Sequence, residues 1–145
     1  MGTLVGSFSS YFFQRRTAQH AEVVATTERL RQERLTAYSE FAGAASEFRR
    51  GLVTLWFRRR DSPRDGAALR AAQVEGDRLG AVAETARFRI RMVDDDLDVR
   101  RLAEQVVEAA GGISGAVDRE EVIRQERDFE AALGAFVTAA AGRIR

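Results

Sequence analysis

The sequence predicts an all-α fold, an up-down-up-down four-helix bundle with a long first helix. Three observations carry this prediction: apolar residues recur at helical spacing in four segments, the connections between the segments are short, and the chain has one proline, Pro63. Sandwiches and barrels made of many short strands need more turn residues than this. A single domain is expected for 145 residues, a length sufficient for a hydrophobic core.

The first helix is predicted over about 17–60 and carries the strongest apolar stripe. Its apolar positions are separated by steps of three and four residues, so they share one face of the helix. These positions are Leu35, Tyr38, Phe41, Ala45, Phe48, Leu52 and Leu55. Residues 17–34 are more polar, so we expect this part of the helix to extend beyond the bundle, by roughly 15 residues or about 20 Å.

The second helix is predicted over about 63–93. Ser62 is expected to cap it, Pro63 to occupy the first helical position, and Asp65 to reach back as the third residue. Its stripe is regular and small in the middle, and we expect the small residues to make room for the aromatic side chains of the first helix. The small residues are Ala72, Gly76, Ala83 and Ala86.

The third and fourth helices follow two acidic start signals. One residue of Asp94–Asp96 is expected to cap the third helix, and Asp118 with Glu121 forms a variant of the capping box before the fourth. Glycines at Gly111, Gly112 and Gly115 are expected to weaken or kink the end of the third helix. The predicted bounds are 96–112 and 118–144.

The net charge of +1 is unevenly distributed. Residues 1–60 carry 10 arginines against 5 acidic residues, whereas residues 61–145 carry 13 arginines against 17 acidic residues. Two interpretations follow: the basic first helix packs on acidic later helices, or it offers a basic face to anionic lipid or nucleic acid. The chain has no cysteine, which excludes disulfides and thiolate chemistry.

Residues 1–16 form an apolar N-terminal segment, followed by a single bundle domain at 17–145. The order of apolar residues first and arginines second is opposite to that of a secretory signal, and the segment is too short to span a bilayer. It is predicted to be a helix start, a membrane-interface segment, or the end of a spanning helix that begins upstream. The candidate membrane contacts are Phe8, Tyr11, Phe12 and Phe13 in the headgroup layer and Arg15 and Arg16 on phosphates.

No catalytic constellation is visible. His20 is the single histidine and has no glutamate three residues before it, as a bundle metal site would require. A nucleophile also lacks a histidine or lysine base beside it, and no strand precedes a glycine-rich phosphate loop. The sequence therefore predicts a protein that is not an enzyme, with no cofactor, no metal and no evident small-molecule substrate.

The best candidate for a partner contact is the run from Trp56 to Arg60. Arginines beside aromatic residues suit a protein or lipid contact, and also stacking on nucleic acid. The same cations suit the C-terminal end of a helix, where the dipole favours positive charge. The near-neutral net charge disfavours nucleic acid. The candidate residues are Trp56, Phe57, Arg58, Arg59 and Arg60.

The run QRRTAQ…RLRQERLTAYSEFAGAASEFRR resembles small uncharacterised actinobacterial proteins in which a short apolar N-terminal helix precedes an arginine-rich amphipathic helix. Arg34, Ala37, Tyr38 and Phe41 carry the likeness, together with ARFRIRMVDDDLDV at 86–99. The resemblance implies a membrane-tethered cytoplasmic helical bundle and brings no catalytic residues. The apolar segment of this chain is shorter than a full span.

The leading functional prediction is a non-enzymatic interaction or scaffold module at the cytoplasmic face of a membrane. The packed bundle and the aromatic-then-arginine segment at the N-terminus favour it. The alternative is a soluble homo-oligomer that assembles through the long first helix. A nucleic-acid binder acting through Arg58–Arg60 is the third and least favoured prediction.

Overall fold

The protein is described by a computed structural model, which gives the backbone from residue 5 and the side chains from residue 13 to residue 145. Its elements are α1 (Val5–Asp61), α2 (Gly66–Val93), α3 (Leu97–Gly112), a 3-10 turn (Ile113–Gly115) and α4 (Arg119–Arg143). Residues 5–145 contain no strand. The predicted all-α four-helix fold is confirmed.

The apolar stripe of α1 forms the centre of the core. Phe41 and Ala45 have no exposed surface, and Tyr38, Leu52 and Leu55 are also buried. Leu35 lies at the margin and is 41% exposed, so the buried stripe begins one turn later than the sequence pattern. α1 packs mainly along α2, and α3 packs mainly along α4.

The first helix is longer than predicted. It begins at Val5, and its side chains from Phe13 to Gln32 are all exposed. We call residues 5–30 the overhang, because among the described side chains Arg31 is the first to form a hydrogen bond outside α1, donating from Nε to the carbonyl of Ile144. At 1.5 Å per residue, 26 helical residues extend about 39 Å beyond the bundle.

The start of α2 differs from the sequence prediction. Asp65, and not Ser62, is the N-cap, and its carboxylate accepts a hydrogen bond from the backbone N–H of Ala68 at 3.0 Å. Ser62 instead accepts, through its carbonyl, from the N–H of Asp65, so that Pro63 lies in a turn before the helix. The physical reason is competition between two caps, because a carboxylate three residues further on also satisfies the free N–H groups of the first turn.

Glycines allow α1 and α2 to approach closely. A Cβ atom on Gly80 would lie 3.0 Å from the ring of Phe48, and one on Gly51 would lie 2.7 Å from a methyl group of Leu79. Gly76 faces Leu52 and Leu55 at ordinary contact distance. Small residues on α2 thus accommodate large ones on α1 as expected, but Gly80 receives the aromatic ring.

The caps of α3 and α4 follow the predicted acids. Asp96 caps α3 and accepts from the N–H groups of Asp98 and Val99. Asp118 caps α4 and accepts from the N–H of Glu121 at 2.8 Å, while the Glu121 carboxylate accepts from the N–H of Val117. α3 continues through Gly111 and ends at Gly112.

The core has two parts. The larger lies where all four helices meet, and its largest members are Phe41, Phe129 and Phe136, with Phe41 and Phe136 in edge-to-face contact at 4.9 Å. The smaller lies near the α1–α2 connection and includes Trp56 and Ile113. The bundle therefore presents two ends: one with the α1–α2 connection, and one from which the overhang projects.

Candidate interaction surfaces

The Trp56–Arg60 run lies at the end of the bundle away from the overhang. Trp56 is only 6% exposed, and its indole Nε1 donates to the carbonyl of Ala116 at 2.7 Å. Phe57 packs edge-on against it, with ring centroids 5.0 Å apart. The indole therefore ties α1 to the loop before α4 and offers little surface to a partner.

The arginines of this run are partly engaged in the same junction. The guanidinium of Arg60 lies 5.3 Å from the Trp56 ring and donates to the carbonyl of Val117 at 3.2 Å. Arg59 donates to the side-chain oxygen of Gln73 at 2.7 Å. Arg58 is exposed. Trp56 is therefore buried and holds the run against the bundle, whereas the exposed arginine side chains remain available to a partner.

The predicted membrane-contact residues lie near the start of the overhang. The side chains of Phe8, Tyr11 and Phe12 fall outside the described residues. Phe13 is 75% exposed, and Arg15 and Arg16 are exposed beside it. An aromatic ring and two adjacent cations thus lie at the end of α1 that is remote from the core.

Further along the overhang, apolar side chains remain uncovered. Val23, Val24 and Leu30 are each between 44% and 66% exposed. Surface pairs such as Arg29 with Glu33 and Arg31 with Glu28 stabilise the helix by a few tenths of a kcal/mol each. His20, the single histidine, is also exposed here.

A buried carboxylate joins three helices at the base of the overhang. Asp94, the C-cap of α2, is 2% exposed and accepts a hydrogen bond from the hydroxyl of Tyr38 on α1. The guanidinium of Arg143 on α4 reaches the same carboxylate at 2.9 Å. Arg34 and Arg100 donate to the carbonyls of Val93 and Asp94, which satisfies the end of α2.

The protonation states of this cluster favour the ion pair. Burial alone would raise the pKa of Asp94, but the hydrogen bonds from Arg143, Tyr38 and the N–H of Asp96 outweigh burial and hold the pKa below its usual value. Burial, with the hydrogen bond to Asp94 second, raises the pKa of Tyr38. The hydrogen bond to Asp94 raises the pKa of Arg143. The cluster is thus held as a neutral phenol, a carboxylate and a guanidinium.

Sequence reasoning assigned Asp94–Asp96 to helix capping and missed this role of Asp94. Only Asp96 caps α3, and Asp95 is exposed. The sequence offers one signal for this role: three aspartates follow one another where a helix cap needs only one, so two carboxylates have no assigned role. No spacing rule connects Tyr38, Asp94 and Arg143, since they lie 56 and 49 residues apart and meet only in the folded bundle.

The geometry offers surfaces for binding. Among the described residues, no group of three or more His, Cys, Asp or Glu side chains is arranged to hold a metal ion. Over the same residues, no helix is long and apolar enough to cross a membrane. The structure thus combines a packed bundle with a basic end, a long exposed helix, and the buried cluster around Asp94 where this helix leaves the bundle.

The described residues thus define an all-α four-helix bundle with a long first helix. The family model described as "KilB plasmid transfer protein" matches residues 35–144, which is most of the chain. The chain belongs to the KilB plasmid transfer protein family. Neither a curated protein nor a solved structure was found to match it. The matched range begins at Leu35, just before the buried stripe of α1, and ends at Ile144, so it covers the bundle and excludes the overhang.

Proposed function

We propose that the protein is a non-enzymatic helical interaction module of plasmid transfer, held at the cytoplasmic face of a membrane by residues 1–16. The bundle at 35–144 is the part that meets protein partners, and the overhang sets its distance from the membrane. The observation that carries this proposal is the match of the plasmid transfer family to the bundle alone, with the apolar N-terminal segment at residues 1–16 outside the matched range.

Two features support the membrane part of the proposal. Phe13 and the pair Arg15–Arg16 combine an exposed aromatic ring with cations, the combination that favours the headgroup layer of an anionic bilayer. Each arginine close to an anionic surface contributes about 1 kcal/mol of attraction. Two arginines and a short apolar segment therefore give a reversible attachment.

Flotation with vesicles of anionic phospholipid tests this attachment. The full chain should rise with the vesicles, and a chain lacking residues 1–16 should remain at the bottom of the gradient. The double substitution Arg15→Glu/Arg16→Glu should also abolish flotation, because it reverses two charges at the surface.

The matched control reverses two charges at the other end of the bundle. Arg58→Glu/Arg59→Glu changes the net charge by the same amount and leaves residues 1–16 intact, so it should float like the parent chain. If the chain without residues 1–16 floats equally well, the membrane part of the proposal is wrong.

The exposed apolar residues of the overhang favour a second candidate function, a homo-oligomer assembled through the long first helix. Val23, Val24 and Leu30 would be covered if two overhangs paired. In that case Val24→Glu in the full chain should lower the oligomeric state measured by sedimentation. Unchanged sedimentation of this variant would argue against pairing through the overhang.

A further inference from the structure

The outer face of α2 carries a second apolar stripe. Its inner face buries Gly76, Ala83 and Ile90, as the sequence pattern predicts. On the outer face, Val74 is 68%, Phe88 50% and Met92 78% exposed. The stripe follows alternating steps of four and three residues from Ala67 to Met92, about seven helical turns, which is the spacing of a helix that packs on another helix. Its apolar members are Ala67, Ala71, Val74, Ala81, Phe88 and Met92, and the polar residues Arg78 and Thr85 occupy the two remaining places.

A groove between α1 and α2 continues this stripe. It has a volume of about 720 Å³ and a floor of small and apolar side chains, including Ala44, Val82 and Ala86. Glu40 lies on its α1 wall, and Arg78 and Arg89 lie on its α2 wall. The groove is therefore apolar at the bottom, acidic on one side and basic on the other.

We propose that this groove is the interface of a homodimer whose twofold axis runs parallel to α1 and α2. Such an axis places α1 of one copy over α2 of the other and keeps each residue at its own height along the helices, so Glu40 of each copy faces Arg89 of its partner. An axis perpendicular to the helices would place α1 over α1, with glutamate against glutamate. The charge pattern of the groove thus selects a second copy, and it selects the orientation of that copy.

The charged residues that flank the stripe also favour this axis, because it makes α2 of one copy parallel to α2 of the other. In a parallel helix pair, a residue on one flank meets the partner's residue five positions further on. This rule pairs Arg70 with Glu75 and Glu84 with Arg89, two attractive contacts that the symmetry repeats. In an antiparallel pair like flanks meet, which brings Asp77 against Glu84 and so opposes the same sign of charge.

The ion pairs within one chain do not prevent the same side chains from pairing with the second copy. Within one chain Arg89 pairs with Glu40, and Arg78 pairs with Glu75 at 2.7 Å. All four side chains are at least 43% exposed, and exposed pairs of this kind contribute only about 0–1 kcal/mol. The burial of Val74, Val82, Phe88 and Met92 is the larger driving force, because each exposed apolar side chain gains about 1 kcal/mol or more on burial.

The dimer has a geometric consequence. Because its axis runs along α1, both overhangs leave the dimer at the same end and in the same direction. The interface residues all lie within the range matched by the plasmid transfer family. The inference does not depend on the proposed function, since self-association is measured on the isolated protein.

Sedimentation equilibrium of the full chain over a range of concentrations tests the interface. The parent chain should form a dimer, and Val82→Glu and Met92→Glu should each raise its dissociation constant at least about tenfold, because each replaces an apolar contact with a carboxylate that must lose its hydration. The matched control is Val137→Glu. Val137 on α4 is 48% exposed against 45% for Val82, so its substitution should leave the dimer intact.

Far-ultraviolet circular dichroism of each variant shows that the bundle still folds. A parent chain that remains monomeric at several hundred micromolar overturns the proposal. A dimer that Val24→Glu dissociates, while Val82→Glu and Met92→Glu do not, also overturns it and assigns the contact to the overhang.

Cross-linking tests the orientation, and the absence of cysteine in the chain makes it specific. Met92→Cys should be joined to Met92→Cys of the second copy by a short bis-maleimide, whereas Val137→Cys should not react in this way. A mixture of Ala67→Cys and Met92→Cys chains tests the opposite orientation. Preferential cross-linking between these two different positions means an antiparallel dimer and contradicts the proposed axis.

Discussion

At the scale of single residues, Asp94 is the position on which three helices depend. Its carboxylate is buried and accepts hydrogen bonds from Tyr38 on α1 and Arg143 on α4. Asp94→Asn keeps the shape but replaces an acceptor with a donor toward Arg143, so we expect the free energy of unfolding to fall by about 2–4 kcal/mol. Asp95→Asn is the matched control, because the Asp95 side chain is 90% exposed and should be replaceable without loss. Urea unfolding of both variants measures the difference.

The loss of unfolding free energy caused by Asp94→Asn should depend on pH. The pKa of Asp94 is lowered in the folded state, so the stabilisation is present above the unfolded pKa of about 4 and is lost as the pH falls through the folded pKa. The difference in unfolding free energy between the parent and Asp94→Asn should therefore be constant near pH 7 and shrink below about pH 4. A difference that stays constant down to pH 2 would show that the charge of Asp94 contributes nothing.

Tyr38 responds to pH in the opposite direction. Burial and the hydrogen bond to Asp94 raise its pKa, so its contribution is present below the unfolded pKa of about 10 and is lost as the pH rises through the folded pKa. Tyr38→Phe keeps the ring in the core and removes the hydroxyl, which should cost about 1.5 kcal/mol at pH 7. Chemical denaturation at pH 7 and above pH 10 measures this cost. An equal cost at both pH values would mean that folding does not change the pKa of Tyr38.

At the scale of helices, the approach of α1 and α2 rests on glycines that are not equivalent. A Cβ atom on Gly80 would lie 3.0 Å from the Phe48 ring, whereas one on Gly43 would meet nothing within 4 Å. Alanine favours a helix over glycine by about 0.5–1 kcal/mol, so Gly43→Ala should stabilise the protein by that amount. Gly80→Ala gains the same propensity but displaces the Phe48 ring, so we expect it to be less stable than Gly43→Ala by about 1–2 kcal/mol.

Thermal unfolding compares the two glycine variants directly, with the parent chain as the reference. Equal stabilisation by both substitutions would mean that Phe48 moves without cost and that the contact between α1 and α2 is loose. The exposed position of Gly43 makes it the appropriate control, because both variants change one glycine to alanine in the interior of a helix.

The helices themselves were predictable because their signals are local. Apolar spacing located the four helices, and the acids Asp96 and Asp118 were recognised as starts, since a cap acts within three residues. The start of α2 was missed because Ser62 and Asp65 both satisfy the local rule and only the packed structure selects one. The junction of Tyr38, Asp94 and Arg143 was beyond sequence reasoning, since it depends on how three helices meet in space.

At the scale of the whole molecule, stability should be distributed along α1 in two zones. Among the described residues, the side chains of 13–30 are exposed and make no hydrogen bond outside α1, whereas the same helix from Ala37 onward lies in the core. A helix without a packing partner is only marginally stable in water, even with several surface ion pairs. One continuous helix is thus expected to combine a weakly protected half with a strongly protected half.

Amide hydrogen exchange measured by mass spectrometry tests this distribution. At low protein concentration, peptides from 17–30 should exchange far faster than peptides from 38–56, although both belong to α1, and peptides from 122–140 in α4 should be protected like the latter. Equal protection along the whole of α1 at low concentration would contradict an uncovered overhang. Protection of 17–30 that appears only as the concentration rises would mean that two overhangs cover each other, whereas protection gained instead within 70–92 would locate self-association on the outer face of α2. The same measurement therefore distinguishes two roles of the long first helix: a spacer that sets the distance of the bundle from the membrane, and a surface for self-association.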